Sequence, residues 1–448
     1  MTRKIISIAL IAAITVSCSK QLDIEPQQGI SEENALNSDA KVKKVLNGTY
    51  DAVSDGDVWG GNVFLFSELL AADGEISWEG TFNQPDEIWQ KAIITTNSFV
   101  RDTWLEAYDA INNANNVIAA ISVVNAADQN RVKGEALFLR ASMYFELVKL
   151  FSKPYTAGSV TTNKGLPLVL TPTKVIDQSS YVARSTVEQT YAQIITDLVT
   201  AESLLPDYND EYANKAAAAG MLSRVYLQME RFPDARDAAN RAINIALGEG
   251  YSLATTYAEA FNNSTNSSEY LLAMQVTAQD GTNTMHTYWS IPAYGGRDGD
   301  VTIDASHLAL YDPADERLAL FYFGAGDTRS GKWQQQYKNL PIMRLSELYL
   351  TRAEANFRAG TTVGATPTQD VNRTHQRAGL GAFGAVTLAD ILLERRLELA
   401  HEGHRLHDLK RLRGSADGFN YDDNELVLPI PQREVDASRG VIVQNPGY

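Results

Sequence analysis

The chain has 448 residues, 44% of them hydrophobic, with a single cysteine and a formal net charge of −16. That balance excludes the basic footprint that nucleic-acid binding requires, and it excludes docking on an anionic membrane by charge. The length leaves room for a large core, and one cysteine leaves no internal disulfide to take its place.

The first residues are a processing signal. Arg3 and Lys4 precede an apolar run over 5–16, the length of a signal-peptide core and short for a membrane span. Ser17 is small, and Cys18, the lone cysteine, follows it. This placement predicts a signal peptide over 1–17 and lipidation of Cys18, whose thiol would take a diacylglycerol. The alternative is an ordinary signal peptide cut nearby, leaving a soluble periplasmic protein. Lipid chains add about 0.8 kcal/mol per buried methylene, so several on one cysteine hold firmly. Residues 18–30 read as a polar tether ending in Pro26 and Gly29. The remainder, 31–448, is expected to form one helical domain, with no segment apolar and long enough to cross a membrane.

Ser31, with Glu33 and Asn34 behind it, reads as a helix cap, and Ala35, Val42, Val45, Leu46 and Tyr50 carry a helical stripe. Next comes a loop-rich segment over 54–98, where Trp59, Trp78, Phe82 and Trp89 lie among Gly and Asp. Residues 99–123 place Trp104, Ala107, Tyr108, Ile111 and Ala114 at three- and four-residue steps, which predicts a helix with Trp104 in the core. Residues 131–151 repeat the pattern with Ala136, Leu139, Tyr144 and Leu147. Further helices are predicted over 186–204, 214–229, 233–247, 341–359, 367–378 and 387–411. Short links between them favour antiparallel pairs.

One pair fits a repeat. Leu222, Ser223, Tyr226, Ala235 and Ala242 fall on the offsets of the tetratricopeptide pattern, in which small residues let two helices approach closely. A generic alanine-rich hairpin would show similar spacing. Residues 251–336 differ: Asn, Ser, Thr, Gly and Asp are dense, Tyr288, Trp289, Tyr294 and Trp333 follow no helical period, and 270–276 is strand-like. This segment reads as a second loop-rich insertion on the helical scaffold.

Blocks along the chain resemble the SusD/RagB family. They include Cys18 with Leu22-Asp23 and Pro26, then Arg140-Ala141 with Tyr144-Phe145. They continue with the helix from Arg344 through Glu347, Tyr349, Arg352 and Glu354, and with Asn372 and Arg377 through Leu380. Glu394-Arg395-Arg396, Glu398, Glu402-Gly403, Arg405 and Asp408-Leu409 follow, and Leu428-Pro429-Ile430-Pro431 and Asn445-Pro446-Gly447-Tyr448 close the chain. The resemblance implies an all-α fold of tetratricopeptide-like helix pairs in a superhelix, with irregular insertions carrying the ligand site. It implies a lipoprotein of the outer membrane that captures oligosaccharide, or in some members peptide. It also implies a partner, a TonB-dependent transporter of the SusC type. A periplasmic helical-repeat scaffold that binds only protein remains the alternative of another class.

Sequence chemistry favours binding over catalysis. His401, His404 and His407 step by threes around a helix interrupted by Gly403, which is wrong for the zincin spacing. Charge-paired packing among Glu394, Arg395, Glu398, Glu402, Arg405 and Asp408 accounts for them better, so neither a metal nor another cofactor is expected. Gly379 to Gly384 spells the dinucleotide fingerprint, but a helix precedes it where a strand is needed, so it reads as a helix-to-helix loop. Asp298, Asp300 and Asp304 lack the glutamate that completes a calcium loop; Ala309 stands there. No nucleophile elbow is present, and no carboxylate pair is singled out for glycoside hydrolysis. Sugars offer C–H faces to aromatic rings and hydroxyls to Asp, Asn and Arg. Trp289, Tyr294, Arg297 and Trp333 in one insertion, and Asp73, Trp78 and Phe82 in the other, are the ligand-binding candidates. Local packing under long loops is the alternative for each. At least one of Trp289 and Trp333 is expected to be exposed.

Overall fold

The computed structural model of the chain describes residues 36–448 apart from Asp280 and Thr282, and of Ser179 the backbone alone. The expectations for the signal peptide, Cys18, the tether and the Ser31 cap lie outside the described residues.

The first half is a run of helices with their caps in place. α1 (Asp39–Ser54) buries Val42, Leu46, Ala52 and Val53 on one face. α2 (Asn62–Leu70), β1 (Ile76–Trp78) and α3 (Asn83–Trp89) follow. Asn97 accepts the Val100 N–H and so starts α4 (Ser98–Ala119), whose stripe Val100, Trp104, Ala107, Ile111 and Ala114 is buried. α5 (Gln129–Phe151) is buried on all sides from Gly134 onward. After β2 (Lys164–Pro167) and β3 (Arg184–Thr186), a capping box of Thr186 and Gln189 opens α6 (Val187–Leu204). α7 (Lys215–Gln228) and α8 (Phe232–Gly248) form the alanine-rich pair.

The second half alternates small strands and helices. It runs β4 (Tyr270–Met274), α9 (Thr284–Trp289), β5 (Val301–Ile303), α10 (Ala305–Leu308), β6 (Phe321–Gly324), β7 (Asp327–Ser330) and β8 (Leu340–Arg344). α11 (Leu345–Ala359), α12 (Pro367–Arg377), α13 (Leu388–Glu398), α14 (Arg405–Arg411), β9 (Ser415–Ala416), β10 (Phe419–Asn420) and α15 (Gln432–Ala437) complete it.

The helices stack one on the next in the order α1, α4, α5, α6, α7, α8, α11, with α12 and α13 against α11. This is the all-α, tetratricopeptide-like array that the sequence implies. Small residues make the close approaches. In the α7–α8 pair, Leu222, Ser223, Ala235 and Ala242 are buried and Tyr226 is half-buried. A Cβ on Gly220 would meet Met343 Sδ at 2.2 Å. The C-terminal segment docks on the array: Leu428 N–H donates to Leu150 O, and Asn445 Nδ2 to Phe151 O. The strands pair in antiparallel twos. One pairing matters most for function. β1 lies on β5, with Ile76 opposite Ile303 and Trp78 opposite Val301, and joins the two loop-rich insertions.

Three sequence expectations are corrected. Residues 340–344 are not helical but form β8 on β4, because both faces of Leu340-Pro341-Ile342-Met343-Arg344 are buried and the helical period begins only at Leu345. The helix expected over 387–411 breaks between α13 and α14. His401 and Gly403 take positive φ there (64° and 78°), and a Cβ on Gly403 would meet Phe64 Cδ1 at 2.4 Å. The break lets α2 pack against α14. Finally, the segment 54–98 is not wholly irregular. It contains α2, whose residues Asn62 to Leu70 are all buried, so no polar face marks it as a helix.

The charge-paired packing expected after residue 394 is present, with many partners coming from other elements. Arg395 Nε donates to Asp408 at 2.8 Å, and Arg317 Nη1 to Glu394 at 2.8 Å. Arg344, at the β8–α11 junction, donates to Glu269, Glu398 and Glu402 at once. Arg377 also binds Glu269 and Glu398, and Lys332 binds Glu402 at 2.6 Å. The guanidiniums around Glu398 hold its carboxyl well below the usual range, although burial alone would raise it. Residues 379–384 are the link between α12 and α13, as expected. Among the described residues no helix is long and apolar enough to cross a membrane.

Candidate functional site

The β1–β5 pairing sets a chain of rings at the protein surface. Trp78 leaves β1 under Gly80, where a Cβ would sit 2.4 Å from the indole Cζ2, so the backbone lies directly on the ring. Trp78 meets Tyr288 of α9 edge-on at 5.6 Å between centroids. Tyr288 meets Phe82 at 6.2 Å and Phe99 at 6.2 Å, and Phe82 meets Phe99 at 6.0 Å. Phe82 is the most exposed ring of this cluster, at 40%. The guanidinium of Arg297 lies over it, 4.1 Å from the centroid.

Arg297 is held from two sides. Nη1 donates to Asp300 Oδ1 at 2.6 Å, and Nη2 donates to Thr81 Oγ1. Asp300 is buried, which pushes its carboxyl up against the pull of Arg297. The pair therefore fixes the guanidinium rather than offering a free acid. A guanidinium has more N–H donors than these bonds use, so hydrogen bonds remain for a ligand's hydroxyls. Tyr294, on the turn just before Arg297, is 39% exposed and stands edge-on to Tyr322 of β6 at 5.6 Å. Phe323 at the tip of the β6–β7 hairpin is 78% exposed. Exposed rings beside a locked cation make a surface suited to flat, hydroxyl-bearing ligands.

The sequence candidates divide. Phe82 and Arg297 come together, Trp78 supports them from beneath, and Tyr294 lies on the adjoining turn. Asp73 does not join them. It turns toward the β9–β10 hairpin, where its Oδ1 accepts the Asp417 N–H at 3.0 Å. Trp289 and Trp333 are not exposed, which corrects the expectation for that pair and removes both from the surface. Trp289 is 0% exposed and packs on His401 at 4.9 Å; Trp333 is 5% exposed and donates from Nε1 to His401 O at 3.0 Å. Both hold the turn between α13 and α14, a core contact that no periodic pattern announces. Phe99, Tyr322, Phe323 and Thr81 are not marked by sequence, and Tyr288 is marked only as an aperiodic aromatic, not as a ligand candidate. Phe99 reads as the start of a helix, Thr81 as one of many loop hydroxyls, and the other rings lie where no period distinguishes a surface ring from a buried one.

The histidines of that turn are structural. Burial pushes the imidazoles of His401, His404 and His407 well below their usual range, and His307 down to about 4, so all four are neutral. Among the described residues no group of His, Cys, Asp and Glu could hold a metal ion.

Comparisons with known proteins agree with this architecture. The family model described as starch-binding associating with outer membrane matches residues 20–227, and the SusD family model matches residues 321–427. A SusD-like protein of Formosa agariphila is 25% identical over 99% of this chain and 99% of its own. The starch-binding protein SusD of Bacteroides thetaiotaomicron is 24% identical over 100% of this chain and 99% of its own. The crystal structure of another SusD superfamily protein from Bacteroides thetaiotaomicron superposes with a TM-score of 0.81 at 26% identity, covering 91% of this chain and 100% of that one.

Proposed function

The chain belongs to the SusD/RagB family, and from that premise we propose that it is a non-catalytic lipoprotein that captures oligosaccharide. The observation that carries the reading is the solvent-facing Phe82 ring beneath an Arg297 guanidinium locked by Asp300 and Thr81. A sugar's C–H face would stack against Phe82 and Tyr294, with its hydroxyls accepting from Arg297. Asp300, the carboxylate bonded to Arg297, is buried and committed to that pair. A family model described by outer-membrane association and a starch-binding relative support the setting. In that setting the protein hands its ligand to a TonB-dependent transporter of the SusC type.

Starch oligosaccharides are the first probes, within a wider glycan panel read by calorimetric titration. Phe82→Ala and Tyr294→Ala are each expected to cost about 1–3 kcal/mol of binding, a roughly ten- to hundredfold loss in affinity. Melting should stay near the parent value, because both rings are partly exposed. The bound glycan should be recovered intact after long incubation. If both variants bind as the parent does, the site lies elsewhere.

Anchoring is tested separately. Cys18→Ala is expected to move the protein from the membrane fraction to the soluble one without changing its circular dichroism. Retention of this variant on membranes through high salt and carbonate would refute a lipid anchor at Cys18.

A further inference from the structure

A second concavity lies apart from the ring surface and shares none of Phe82, Arg297 or Tyr294. It is a cavity of about 290 Å³ between the end of α2 and β1 on one side and the helices α13 and α14 on the other. That volume is at the small end of ligand pockets, roughly ten water volumes. Its walls are largely apolar: Ala72, Ile76, Leu392, Leu393 and Leu412 line it. Leu393, on α13, is 42% exposed.

The polar groups in it are not balanced. Arg396 and Arg405 both donate through Nη2 to one oxygen of Glu75, and His307 Nδ1 meets the other oxygen at 3.0 Å. Two guanidiniums thus share a single carboxylate. Other acids act on these guanidiniums only from a distance, Asp73 on both and Glu68 on Arg405. Asp408 is committed to Arg395 and Arg411 at 2.8 and 2.7 Å. Glu68 accepts the Gly403 N–H at 2.8 Å, and burial pushes its carboxyl up to about 7. Asp73, on the turn two residues before Glu75, is exposed and accepts the Asp417 N–H.

Donors are left over as well. Among the described residues, neither Nε of Arg396 and Arg405 nor either ring nitrogen of His401 has a hydrogen-bond partner, and His401, 2% exposed, also lines the cavity. A buried polar group without a partner costs about 1–3 kcal/mol. A cavity that combines two guanidiniums bonded to one carboxylate oxygen, unpaired N–H donors and an apolar wall has the complement of an amphiphilic anion.

We propose that this cavity is a second binding site, taking a small carboxylic acid with an apolar body whose carboxylate is held by Arg396 and Arg405. The apolar wall rejects polar anions, and the two guanidiniums reject neutral molecules of the same shape. This site does not depend on glycan capture at Phe82.

The test is calorimetric titration of the purified protein with 3-phenylpropionate, 3-phenylpropionamide and galacturonate. The acid is expected to bind with one site per chain, and the amide and galacturonate at least tenfold more weakly. Arg396→Met should weaken the acid at least tenfold. Leu393→Trp, a change at an exposed lining position, should obstruct the cavity and abolish binding while the melting temperature holds. The proposal is overturned if the acid does not bind up to millimolar concentration, or if the amide binds equally well. It is also overturned if galacturonate matches the acid, or if a folded Leu393→Trp protein binds the acid as the parent does.

Discussion

Replacing Arg344 with methionine is expected to destabilise the protein by about 3–5 kcal/mol or more, the range for removing one partner of a buried ion pair. The guanidinium is 2% exposed and donates to three carboxylates, Glu269, Glu398 and Glu402. Methionine keeps the aliphatic stem but leaves those acids to Arg377, Lys332 and Arg317. A typical domain has only about 5–15 kcal/mol in total, so the variant should fold poorly or melt far below the parent. The damage would reach the ligand surface. Glu398 and Glu402 flank the turn at His401, that turn packs on Trp289, and Trp289 ends the helix that carries Tyr288 under Phe82. Arg344→Lys keeps the charge and loses the fork, so it should fall between parent and Arg344→Met. Urea denaturation of the three proteins decides the matter. Equal midpoints for Arg344→Met and parent would mean that the ionic cluster contributes nothing to the fold.

What the sequence made legible follows from how each element buries its residues. Helices with one apolar face are readable by period: the helix predicted over 99–123 is seen as Ser98–Ala119, and that over 233–247 as Phe232–Gly248. Elements buried on every side are not. α2 has no polar face, so its run of apolar residues carries no phase. β8 is likewise buried throughout, and it runs directly into a true helix that lends it a false period. The break at His401 is fixed by a tertiary contact, the approach of Phe64 to Gly403, and Gly403 is its one local signal. The ring surface was partly legible because Phe82, Tyr294 and Arg297 stand in polar, aperiodic stretches. The same clue misplaced Trp289 and Trp333, because an irregular segment can supply core as well as surface. Which one it supplies depends on partners distant in sequence, here His401.

Trp289→Ala therefore separates the two readings of aperiodic aromatics. If the ring were a surface anchor, its removal would weaken ligand binding and spare the fold. Its side chain is wholly buried, so the expected result is the opposite: a loss of about 3–5 kcal/mol of stability, the range for truncating a core tryptophan. Trp104→Ala, on the buried stripe of α4, should lose a similar amount and serves as the internal standard. Binding should weaken only as far as the displaced α9 shifts Tyr288 beneath Phe82, so the effect on affinity should be smaller than that of Phe82→Ala. Trp289→Phe keeps an aromatic surface against His401 and should recover part of the stability. Denaturation midpoints and glycan titrations of these variants give the answer. A Trp289→Ala protein that melts with the parent and no longer binds glycan would restore Trp289 to the site and remove it from the core.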